Sequence, residues 1–129
     1  MINLNRLYWI KREIVQLENQ IKELTVLSAV AMDGVSGGNK VTSPVERFYE
    51  RLEKLKTKLE GKYAESLAEQ ERLEEFIETI EDEEIRVLAR GRFIECKSYE
   101  RIGDENYIDR TTVSKKLRNY IERKDNDDI

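Results

Sequence analysis

Histidine is absent from the 129 residues, and cysteine occurs once, at Cys96. A single cysteine excludes an intramolecular disulfide and makes a reducing cytoplasm the expected compartment. Without histidine, neither a zinc site of Cys and His ligands nor a Glu-x-x-His di-metal site can be assembled, so no metal or cofactor is expected. Cys96 has no base or cation identifiable beside it and reads as an inert, half-buried residue between two helices. No catalytic constellation remains, and no enzyme activity is expected. Proline also occurs once, at Pro44, and three of the six glycines fall within residues 33–40. No apolar run is long enough to cross a membrane, and the opening Met-Ile-Asn-Leu-Asn lacks the basic and apolar regions of a signal peptide. β-branched residues are scattered, so no succession of strands is expected.

Charge is plentiful instead, at 39% of the chain, and Leu, Glu, Lys, Arg and Ile dominate. That mixture belongs to long amphipathic helices. The expected fold class is all-α: a long, coiled-coil-like helical hairpin over residues 1–80, then a small helix-turn-helix domain over 81–124 and an acidic tail over 125–129. The formal net charge is −4, unevenly spread. Residues 46–84 carry seven Lys/Arg against fourteen Asp/Glu, whereas residues 108–124 carry six against two. An acidic body with one short basic segment suits a protein that meets a polyanion through a single helix.

Leu7, Ile10, Ile14, Leu17, Ile21 and Leu24 recur in steps of three and four, which predicts a helix from residue 3 or 5 to about 30 with one narrow apolar stripe. Tyr8 and Trp9 widen the stripe, and Trp9 is read as packing. The glycine-rich stretch 33–40 predicts a flexible loop, placed at 32–43. It lacks the Gly-x-x-x-x-Gly-Lys-Ser/Thr pattern and a preceding strand, so it is not read as a phosphate cradle. Ser43, Pro44 and Glu46 form the start of a second helix, with Ser43 as cap. Its stripe continues through Leu52, Leu55 and Leu59, slips near Gly61 and ends near Ile80. A slip beside a glycine marks a possible kink. Two long matched stripes predict a hairpin too thin to bury its apolar surface alone, hence a homo-oligomer, most simply a dimer.

Beyond residue 81 the helices shorten. Ile85, Leu88, Ala89 and Phe93 mark one over residues 82–95, and Ser98 caps another over 99 to about 105. After a turn at Asn106, Tyr107 and Ile108, Asp109 caps a basic helix over 110 to about 123, with Val113, Leu117, Tyr120 and Ile121 facing inward. Two short helices joined by a brief turn, the second one basic, have the form of a helix-turn-helix. Arg110, Thr111, Thr112, Ser114, Lys115 and Arg118 lie off the apolar side, where Arg, Thr and Ser can meet base edges. Lys115, Lys116 and Arg118 suit phosphates, and Ser98 and Tyr99, which open the preceding short helix, are counted with them as DNA-binding candidates.

The string Ser98-Tyr99-Glu100-Arg101-Ile102-Gly103, followed by Ile108-Asp109-Arg110-Thr111-Thr112-Val113-Ser114-Lys115-Lys116-Leu117, resembles region 4 of sigma-70 factors. The wider layout resembles phage late-gene transcription regulators of the RinA and ArpU type. The resemblance implies a phage or prophage protein that binds double-stranded promoter DNA and activates late genes, with host RNA polymerase as a further partner. Arg110, Thr111, Thr112, Ser114 and Lys115 take the reader positions. The turn in that family carries glycine, and here Asn106 is expected in the left-handed position. Two alternatives stand beside this reading. One is a phage small terminase subunit that recognises packaging-site DNA, although the DNA-binding part then tends to come first. The other is an interaction module that binds RNA polymerase and not DNA.

Overall fold

The computed structural model describes residues 3–32 and 43–127, and within them every regular element is helical. Most of the expected loop at 32–43 lies outside the described residues. The fold is all-α. Helix α1 spans Arg6–Met32, α2 Pro44–Glu78, α3 Glu83–Ala89, α4 Tyr99–Asn106 and α5 Arg110–Asp127. The starts follow from local chemistry. Ser43 Oγ accepts from the Glu46 N–H at 3.1 Å, ahead of Pro44 at the first helical position. An Asp82 carboxylate oxygen accepts from the N–H groups of Glu84 (2.8 Å) and Ile85 (3.3 Å). Helix α2 runs unbroken through Gly61, so the expected kink does not interrupt its hydrogen bonding. Helix α5 continues to Asp127, so the first residues of the expected acidic tail are helical.

The helix expected over residues 82–95 is α-helical only as far as Ala89. It then widens into a π-helical turn, Arg90–Ile94, in which the Glu95 N–H reaches the Arg90 carbonyl. Buried Gly91 lies in this turn, where a Cβ would stand 3.3 Å from the Ile102 side chain of α4. The wide turn and the missing side chain together let α4 close in. The segment ends on Cys96 at φ 58°, with the Lys97 N–H bonded to the Gly91 carbonyl at 3.0 Å.

The chain divides into two compact units. The first joins the described residues up to Trp9 to those from Leu67 onward. Its core holds Leu7, Leu73, Ile77 and Ile80 together with Leu88, Phe93, Ile102, Val113 and Leu117. The division expected at residue 80 had left Leu7 and the end of α2 to the hairpin. They pack instead with α3, α4 and α5 in one core, which enlarges the apolar body those short helices can bury. A polar clasp holds the same segments. Glu69, 2% exposed, accepts from Arg6 at 3.3 Å and from Arg72, whose guanidinium also donates to the Asn3 carbonyl at 3.0 Å. The Arg72 hydrogen bond is the main cause holding the Glu69 carboxyl below its ordinary range.

The second unit comprises residues 10–66. Lys62 pairs with Glu13 at 2.9 Å and Glu65 at 3.1 Å, and the Tyr63 hydroxyl donates to Glu18 at 3.1 Å. These contacts require antiparallel helices. From Glu13 to the end of α1 is about 28 Å, and from Pro44 to Lys62 about 27 Å. Parallel helices would ask the intervening residues to span about 55 Å, beyond their fully extended reach of about 40 Å. Ile10, Ile14 and Leu55 are buried within the single chain. Leu17, Ile21, Leu24, Leu52 and Leu59 are half-buried, while Val26 and Leu27 are exposed.

Candidate nucleic-acid interface

The basic segment is positioned by the turn between α4 and α5. Ser98 opens α4 by accepting from the Arg101 N–H at 3.1 Å. At its end, the N–H groups of Tyr107 and Ile108 both point to the Gly103 carbonyl. The left-handed residue is Tyr107, at φ 56°, and not Asn106. Asn106 completes α4, and its side-chain amide donates to the Ile102 carbonyl at 2.8 Å. The capping geometry demands a left-handed residue one place beyond the last helical one, and that place falls on tyrosine. Glycine is indispensable elsewhere. A Cβ on Gly103 would stand 2.4 Å from the Ile108 carbonyl oxygen. Asp109 then starts α5 by accepting from the Thr111 N–H at 3.0 Å.

Helix α5 turns Val113 and Leu117 fully inward, with Tyr120 and Ile121 packed at the edge of the core. Arg110, Thr111, Lys115 and Arg118 are exposed; Thr112, Ser114 and Lys116 are half-buried. Thr111, Lys115 and Arg118 follow steps of four and three and therefore share one outward face. Arg110 stands at the start of the helix. Neither it nor Lys115 has a side-chain partner among the described residues. Lys116, expected on phosphates, is paired with Glu84 of α3. Arg118 donates to Ser114 at 3.2 Å, and both border an open cleft with Arg92, Phe93 and Tyr99. Tyr99 leans on the core beneath the Arg92 guanidinium, 4.2 Å from its ring centroid, and Ser98 spends its hydroxyl on the cap.

The outer side of α4 carries Glu100, Asp104 and Glu105. Lys97, held by Glu95 at 2.6 Å and Glu105 at 2.8 Å, offsets part of that charge. The hydrogen bond that Lys97 donates to Glu105 is the largest cause both of the raised Lys97 pKa and of the lowered Glu105 pKa. Among residues 83–127, the ion pairs take up Arg86, Arg90, Lys97, Arg101 and Lys116, and most of the cations left without an acidic partner, Arg110, Lys115 and Arg118 among them, lie on α5. No group of acidic, Cys or His side chains arranged to hold a metal occurs among the described residues. No helix there is long and apolar enough to cross a membrane.

A family model described as a protein of unknown function, DUF1492, matches residues 24–125. The chain belongs to this family. The DUF1492 match takes in α2 to α4 entirely and nearly all of α5, so the helix-turn-helix lies inside the family's own extent. No curated protein and no solved structure matches the chain.

Within the DUF1492 span, sequence reasoning located the caps at Ser43, Ser98 and Asp109, the inward residues of α5 and its outward basic face, but did not name Asp82 as a cap. It missed the Lys116–Glu84 pair, which joins residues 32 apart with no local pattern to announce it. It also missed Tyr107, which only the exact end of α4 could have revealed.

Proposed function

We propose that the protein binds double-stranded DNA sequence-specifically through α5, without catalysis, as a phage or prophage transcription regulator of the RinA and ArpU type. The observation that carries the reading is the first half of α5. Arg110, Thr111 and Lys115 are exposed there on a helix capped by Asp109, and the two cations have no partner among the described residues. Arg and Thr suit base edges, Lys suits phosphates, and a reading helix uses its N-terminal residues. The sigma-70 region 4-like string over residues 98–117 supports activation of late genes. The incompletely covered stripe of residues 10–66 supports a homo-oligomer.

The test is binding of the purified protein to fragments of its own genome at about physiological salt, with bound fragments sequenced. The expected result is enrichment of one site upstream of a gene cluster. Enrichment inside a terminase region would replace the regulator with a packaging subunit. Absence of binding even at low salt would remove the DNA reading and leave RNA polymerase as the partner to examine.

A further inference from the structure

Tyr107 occupies a left-handed backbone conformation, φ 56°, and is 98% exposed. Each feature is unfavourable. A β-carbon in the left-handed region crowds the neighbouring carbonyl, so glycine or asparagine is the residue the fold alone would choose. A fully exposed ring returns no packing. Its neighbours do serve the fold: the Asn106 amide is tied to Ile102, and Ile108 packs against the core. Cys96, the other non-glycine residue at positive φ among the described residues, is half-buried. The Tyr107 side chain has no hydrogen bond, ion pair or ring contact among the described residues.

We infer that Tyr107 is a DNA-backbone contact, its ring and hydroxyl meeting a sugar and phosphate where α5 enters the major groove. The inference rests on the DNA-binding reading above. In that docking, the first residues of the second helix reach the bases while the first helix crosses the backbone. The turn joining them lies at the groove's rim, and Tyr107 is three residues before Arg110. Tyrosine hydroxyls are regular donors to phosphate. Of the nearby carboxylates, Glu105 is held by Lys97 and Arg101, and Asp109 is spent on its cap. That leaves Asp104 to repel a phosphate, and a neutral donor meets one there without adding charge.

The test compares Tyr107→Gly with the wild-type full chain, measuring thermal unfolding by circular dichroism and affinity for the enriched DNA site across a salt series. The expected result has three parts. The melting temperature is equal or higher because the backbone conformation is relieved. Affinity is about tenfold lower, as for one lost contact. The salt slope is unchanged, because a neutral side chain releases no counterion. Tyr107→Asn, which also tolerates the left-handed region, should behave alike. Affinity within twofold of wild type, a lower melting temperature in both variants, or a changed slope would each overturn the inference. Failure of the wild-type protein to bind any DNA would overturn the underlying reading instead, so the two failures are distinct.

Discussion

Gly103 shows what a single residue does for the candidate interface. Its conformation is ordinary and helical, so it is not there for backbone freedom. It is there because the chain leaving the turn passes over it, and a methyl group would collide with the Ile108 carbonyl. Gly103→Ala should therefore cost about 3 kcal/mol, near the upper end for overpacking because the obstacle is backbone. Urea titration followed by circular dichroism would measure it, and a change under about 0.5 kcal/mol, the level of an inert surface substitution, would contradict the geometry. A second residue-scale prediction concerns Glu69. Its pKa is depressed below the ordinary 4.5, first by the Arg72 hydrogen bond and further by both arginines' charges. A depressed carboxyl contributes stability above its unfolded pKa, about 4.3, and loses it as the pH falls through the folded value. Arg72→Met should thus destabilise by about 2 kcal/mol at pH 7, the scale of charge-assisted hydrogen bonds. The gap from wild type should narrow as the pH falls below 4. A gap equally wide at pH 3 would mean that Arg72 acts through packing and not through Glu69.

At the scale of elements, most boundaries were legible because their causes are local. The three-four stripes foretold α1 and α2, and Ser43, Asp82, Ser98 and Asp109 stand where helices begin. Causes distant in sequence were not legible. The π-helical turn at 90–94 goes with the close approach of α4 at Gly91, and Leu7 joins a core built mainly from residue 73 onward. On α5, Lys115 and Lys116 were both expected to suit phosphates, yet packing sets them apart: Lys115 points outward, and Lys116 pairs with Glu84. Lys115→Ala should therefore lower DNA affinity and reduce the salt slope by about one. Lys116→Ala should leave the slope nearly unchanged and lower stability. Equal slopes for the two variants would place both lysines on phosphate. Arg110→Ala should weaken the specific site by roughly 1–3 kcal/mol and relax one base position. Equal losses on all sequences would make Arg110 a phosphate contact.

For the whole molecule, the question is which apolar surface a second copy would cover. Leu7, Ile10, Ile14 and Leu55 are already buried in one chain, so a charge at Ile14 attacks the hairpin itself. Val26 and Leu27, 58% and 67% exposed, sit side by side and are spent on nothing comparable. If the protein self-associates through residues 10–66, the pair Val26→Glu and Leu27→Glu should lower the mass in solution to that of one chain with helicity retained. Ile14→Asp should reduce helicity as well. Light scattering combined with circular dichroism separates the cases, and an unchanged mass in the double variant would move the contact away from this end of α1. The same variant tests why assembly matters for reading. A symmetric dimer presents two copies of α5 to two half-sites whole helical turns apart, so affinity depends on both docking together. The monomeric double variant should bind one half-site as well as wild type does, and lose only the gain from the second. Weaker binding to a single half-site would show that assembly shapes α5 itself and not merely the number of copies on DNA.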